Sequence, residues 1–107
     1  MKHTPFYDRH IQNKGKMVEF TGYSLPIQFK GIIAEHNAVR QSAGLFDVSH
    51  MGELLITGKN AFNTIQNIIT NDITSLQNGK ARYTLMANPQ GGVVDDILVY
   101  KFNDEKY

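Results

Sequence analysis

Two adjacent carboxylates, Asp95 and Asp96, interrupt the run from Val93 to Phe102, which is apolar at nearly every other position. As a strand, this run alternates faces, putting Asp95 with Val93, Ile97 and Val99, and Asp96 with Val94, Leu98 and Tyr100. A strand that is apolar on both faces is typically central and covered, so at least one of the two carboxylates is expected to be desolvated and to need specific donors. Two roles are open to such a group. It can satisfy backbone amides at a sheet end or bulge, or it can bind and polarise an amine-bearing ligand. Neighbouring strand residues point to opposite faces, so the pair cannot act as the two facing carboxylates of a glycosidase, and a single site uses one of them at most.

Other candidate chemistry is sparse. The histidines at positions 3, 10, 36 and 50 are too far apart for a local metal-binding motif, and no acidic ladder with calcium-loop spacing exists, so no metal site is expected. The chain has no cysteine, which removes disulfides, thiolate zinc sites and a cysteine nucleophile together. No G-x-S-x-G elbow suggests a serine nucleophile. Gly91-Gly92 lacks the following helix that a phosphate cradle uses and is read as a turn. The polar cluster Asp47-Val48-Ser49-His50-Met51-Gly52 breaks an apolar stretch, as either a bulge or a ligand-facing corner does.

Several elements must position these residues. Thr4-Pro5 reads as an N-cap followed by proline at the first helical position, opening a short helix anchored by Phe6, Tyr7, His10 and Ile11. Met17–Phe20 and Leu25–Phe29 read as strands around Gly22. Ile32, His36 and Val39 recur at helical spacing between Gly31 and Ser42 and Ala43 continues the series, with Gly44 at the place of a left-handed C-cap. Leu45–Ser49 and Glu53–Thr57 are predicted as strands, and Ala61, Phe62, Ile65, Ile68 and Ile69 as the apolar stripe of a further helix. Ala81–Ala87 and Val93–Phe102 then form a hairpin across the five-residue loop Asn88-Pro89-Gln90-Gly91-Gly92. This order lacks a βαβ rhythm, so the expected class is α+β with a mixed, largely antiparallel sheet and short helices.

The 107 residues have room for one domain or part of one, and no linker or repeat marks a boundary within 1–107. At 41% hydrophobic and 20% charged residues the composition is that of a globular chain. The net charge is +1, from 11 basic and 10 acidic residues without clusters, which argues against a nucleic-acid partner. A signal peptide and an apolar run long enough to span a membrane are both absent from these residues, so the expectation is a cytoplasmic protein without a membrane partner. The segment after Tyr100 follows the best strand by only a few residues, where a turn into another element is expected, so the chain reads as the truncated start of a longer protein.

Four stretches in order carry a family resemblance. Gly15-Lys16-Met17-Val18-Glu19-Phe20-Thr21-Gly22-Tyr23-Ser24-Leu25-Pro26 resembles the G-K-M-V-x-F-x-G-[YW]-x-[LM]-P opening of glycine-cleavage T-proteins. Ala38-Val39-Arg40 with Gly44-Leu45-Phe46-Asp47-Val48-Ser49-His50-Met51-Gly52-Glu53 is similar to that family's A-V-R and G-[LM]-F-D-V-S-H-M-G-E segments. Thr70-Asn71-Asp72 and Gly91-Gly92-Val93-Val94-Asp95-Asp96 match its T-N-D and G-G-[IV]-[IV]-D-D. The match runs from Thr4 to Tyr100.

The resemblance implies the N-terminal part of the folate-binding domain of a three-domain enzyme several times longer. It also implies aminomethyl transfer from the dihydrolipoyl arm of an H-protein to tetrahydrofolate, with release of ammonia. Asp96 matches the family's folate-binding carboxylate and is the implied catalytic residue. Met51 and Tyr83 match other positions near the folate, with Leu55, Leu98 and Tyr100 as further wall residues. The implied partners are tetrahydrofolate, as substrate, and the lipoyl-bearing H-protein. The isolated 107 residues are expected to be inactive and to self-associate through uncovered apolar surface. Two other folate-binding groups share parts of the pattern: the folate domains of sarcosine and dimethylglycine dehydrogenases, which follow a flavin domain, and non-catalytic iron–sulfur assembly factors. Here the motif region begins at residue 4, and the Phe46–Gly52 stretch is intact, which favours the T-protein.

Overall fold

The structure, a computed structural model, describes residues 1–107. Its tertiary contacts group into two compact units, Met1–Gly52 and Glu53–Tyr107. No Gly/Ser/Pro-rich linker marks the join in the sequence. The architecture is α+β with mixed and antiparallel sheets. No helix is long and apolar enough to cross a membrane.

The first unit holds β1 (Lys2–His3), α1 (Tyr7–Gln12), β2 (Lys16–Phe20), β3 (Tyr23–Gln28) and α2 (Ile32–Gln41). Its sheet has the order β1-β3-β2, with β1 parallel and β2 antiparallel to β3. The β2–β3 hairpin closes through Thr21 and Gly22, both at positive φ, the backbone twist that a two-residue hairpin turn needs. Glu35 in the first turn of α2 accepts the backbone N–H groups of Phe29, Lys30 and Gly31 on one carboxylate oxygen, which ties the end of β3 to the helix start. Those amide hydrogen bonds hold the Glu35 carboxyl below its ordinary pKa.

Three local expectations fail in this unit. The helix opens at Tyr7 with Phe6 as N-cap, because the Thr4 hydroxyl that was to cap it donates instead to the carboxylate of Asp47 at 2.6 Å. Gly44 is not a left-handed cap; α2 ends at Gln41 with Ser42 as its C-cap. What requires glycine at 44 is close approach, since a Cβ there would lie 2.5 Å from Val39 Cγ2. Leu45–Ser49 is not a strand. It has no partner to take its backbone groups, and a tight turn from Val48 to Met51 replaces it, with Met51 N–H on Val48 C=O at 3.0 Å.

The second unit holds α3 (Ala61–Ile68), β4 (Ala81–Ala87) and β5 (Val93–Tyr100). Ala61, Ile65 and Ile69 are buried at fourfold spacing, and with Ile73, Leu76, Val99 and Tyr107 they form the core; Phe62, Ile68 and Ile97 pack against it. Ile73 is fully buried. Glu53–Thr57 is not a strand either, although Ile56 exchanges backbone hydrogen bonds with Tyr107 in both directions, at 2.9 and 3.0 Å.

β4 and β5 pair antiparallel across the expected loop. Asn88 organises that loop, its side-chain oxygen accepting the N–H groups of Gln90 at 3.1 Å and Gly92 at 2.8 Å, while Gly91 supplies the positive φ. The register places Tyr83 opposite Leu98, Leu85 opposite Asp96 and Ala81 opposite Tyr100, with a bulge where Ala87 meets Val93. This sheet has two strands only, so β5 is not the central, covered strand that its sequence suggests.

Candidate functional site

The hairpin presents two unlike faces. Thr84 and Val99 are buried on one, and Ile97 packs beside them. Tyr83, Asp96, Leu98 and Tyr100 share the other, which is exposed. The register thus gives Tyr83 the face of Asp96, a point alternation within one strand cannot decide. Across the strands, the Tyr83 hydroxyl donates to Asp96 Oδ2 at 2.9 Å. The phenol is pushed above its ordinary pKa, chiefly because its proton is held in that hydrogen bond; lost solvation and the negative charge of Asp96 add to the effect.

The expectation that one of the two aspartates is desolvated is not met, because both are exposed. The reason is topological: with one neighbouring strand, β5 has a core on one face only, and its Asp-bearing end lies beside the bulge. Asp95 and Asp96 nevertheless differ. Asp95 Oδ1 accepts the backbone N–H of Asp96 at 2.9 Å, the amide-satisfying role, whereas Asp96 has a tyrosine hydroxyl on one oxygen. A carboxylate so placed, flanked by the exposed Leu98 and Tyr100, can accept an N–H from a flat, partly apolar amine-bearing ligand that lies along the hairpin.

The remaining predicted residues, Leu55 and Met51, lie outside β4 and β5 in the chain. Leu55 is exposed in the irregular segment before Ile56, in the same unit. Met51 belongs to the first unit, where it is exposed at the end of the Val48–Met51 turn.

The first unit contains a polar centre that the sequence does not announce. Asp47 Oδ2 accepts Thr4 Oγ1 and lies 2.7 Å from His10 Nε2, while Oδ1 accepts the Ser49 N–H at 3.0 Å. The side chains of His10 and Asp47 are only 12% and 6% exposed. Burial alone would raise the Asp47 pKa, but the donors from His10, Thr4 and Ser49 outweigh it and hold the carboxyl well below the usual carboxylate range. Both of its oxygens are engaged by protein groups, so this carboxylate fastens the chain together. Two other histidines serve packing in the same unit: His3 stacks on Tyr7 with centroids 3.6 Å apart, and His50 meets Phe20 and Tyr23 edge-on.

A stability prediction follows from the Asp47 centre. Asp47→Ala strands the Thr4 and His10 groups in a part-buried setting and should cost about 2–4 kcal/mol, read as a lowered urea midpoint. A group whose folded pKa is depressed stabilises above its unfolded value, here about 3.8, and loses that contribution as pH falls toward the folded value. The wild-type chain should therefore lose stability below pH ~4 more steeply than the Asp47→Ala chain. Parallel stability curves for the two would contradict this.

A family model described as the GCVT N-terminal domain matches residues 6–107. The aminomethyltransferase of Desulforamulus reducens is 55% identical and that of Thermoanaerobacter pseudethanolicus 53% identical, each over all 107 residues. The chain spans 29% of the length of both relatives. The crystal structure of glycine cleavage system aminomethyltransferase T from Bartonella henselae superposes with a TM-score of 0.87 at 29% identity, covering 98% of this chain and 29% of that one. The exposed hairpin carboxylate therefore sits in a member of the glycine-cleavage T-protein family, to whose N-terminal domain this chain belongs.

Proposed function

We propose that these residues form the N-terminal part of the folate-binding domain of a tetrahydrofolate-dependent aminomethyltransferase. The substrate is an aminomethyl group on the dihydrolipoyl arm of an H-protein. The methylene carbon gives up its bonds to sulfur and to nitrogen and forms two bonds to folate nitrogens. Of the two hydrogens that leave the folate amines, one goes with ammonia and one ends on the sulfur, so methylene-tetrahydrofolate and dihydrolipoyl H-protein result. The activity belongs to a polypeptide of the relatives' length, since this chain spans 29% of them.

The observation that carries the reading is the exposed Asp96 carboxylate on the outer hairpin face, in the segment that matches the family's G-G-[IV]-[IV]-D-D. Its role is to accept a hydrogen bond from a folate amine, fix that nitrogen near the electrophilic carbon and stabilise the positive charge that develops on it. Met51, Leu55, Tyr83, Leu98 and Tyr100 supply amphipathic wall. To test the reading, ammonia release from aminomethylated H-protein is followed with a polypeptide of the relatives' length carrying these 107 residues. Release should need tetrahydrofolate and H-protein together. Equal release without folate would reject it.

A further inference from the structure

We infer that Tyr83 is a positioning residue for Asp96, holding one carboxylate oxygen so that the other is left, correctly turned, for the folate amine. The inference rests on the proposed role of Asp96 and adds a second residue to it. Tyr83 lies directly opposite Leu98 in the register, one step along the same face from Asp96, so its ring crosses the hairpin diagonally and its hydroxyl arrives at Oδ2 at 2.9 Å. An aspartate on an exposed strand face otherwise turns about its side-chain torsions, and a carboxylate that must meet a reacting nitrogen loses rate with each misdirected rotamer. The backbone offers no help here, because the Asp96 N–H is itself taken by Asp95. The phenol serves this purpose without competing for the ligand: it donates its only hydrogen to Oδ2, which leaves Oδ1 to accept an incoming N–H. An ionised acceptor also makes this a stronger hydrogen bond than one between neutral groups.

A wall residue and a positioning residue predict different kinetics. Tyr83→Phe keeps the ring and removes only the hydroxyl, at an exposed position where the fold tolerates the change. In a polypeptide of the relatives' length, Tyr83→Phe should lower kcat about tenfold at saturating tetrahydrofolate and leave the KM for folate within about twofold. In an Asp96→Asn background the same substitution should change the rate by less than about twofold, because the group it positions has lost its charge. An unchanged kcat, a loss confined to KM, or a full tenfold loss repeated on top of Asp96→Asn would each overturn the inference while leaving the Asp96 reading intact. If Asp96→Asn alone runs at the wild-type rate, the reading of Asp96 fails and this inference falls with it.

Discussion

Asp96→Asn should slow aminomethyl transfer by about 10²–10³-fold in a polypeptide of the relatives' length, with the loss mainly in kcat. The substitution keeps the size of the side chain and one acceptor oxygen but removes the negative charge. If the carboxylate served only to hold folate in place, the loss would fall on KM. A group that answers charge developing on the attacking amine is felt in the transition state, and kcat reports it. Asp95→Asn is the internal control. Asp95 lies on the other face of β5, and one of its oxygens already accepts the Asp96 N–H, so its replacement should change the rate far less. Comparable losses for the two substitutions, at matched stability and folate saturation, would overturn the choice of Asp96.

The second large effect concerns the 107 residues by themselves. Mixed with aminomethylated H-protein and tetrahydrofolate, they should release no ammonia above background. Four of the six proposed folate residues, Tyr83, Asp96, Leu98 and Tyr100, share one exposed hairpin face, which by itself gives a bound folate no enclosure. Without such enclosure, water competes for every hydrogen bond the site could offer. Large apolar side chains also stand in solvent, including Leu45, Leu54, Phe46 and Ile33, and β5 has an unpaired edge. Such surface favours association, so the chain should sediment as a dimer or larger species at tens of micromolar. Turnover near that of an intact relative, or a clean monomer, would contradict these expectations in turn.

The residues that were legible in the sequence are those whose structure is decided locally. The β4–β5 hairpin could be read because Asn88 and Gly91 carry the loop chemistry and because alternation separates Ile97 and Val99 from Asp96, Leu98 and Tyr100. The stripe of α3 was legible for the same reason: fourfold spacing places Ala61, Ile65 and Ile69 on one side whatever lies beyond.

What depends on distant partners was not legible. His10 and Asp47 are 37 residues apart, and no periodicity relates them, yet their contact moves Thr4 from a helix cap to a carboxylate ligand and so shifts the start of α1. The two segments around His50-Met51-Gly52 have strand-like composition, but a strand exists only where a neighbour takes its hydrogen bonds, and composition does not say whether one does. The exposure of Asp95 and Asp96 was misjudged on the same ground, since an apolar run reports what a strand can bury, not how many strands flank it.

The most direct measurement of the central claim follows the carbon rather than the ammonia. H-protein bearing an aminomethyl group with an isotopically labelled methylene is mixed with tetrahydrofolate and a polypeptide of the relatives' length that carries these residues, and the label is traced by NMR. A T-protein transfers the label to methylene-tetrahydrofolate, one methylene for each ammonia released, and Asp96→Asn slows both in step. Label that stays on the H-protein or leaves as free formaldehyde while ammonia is released would contradict the account.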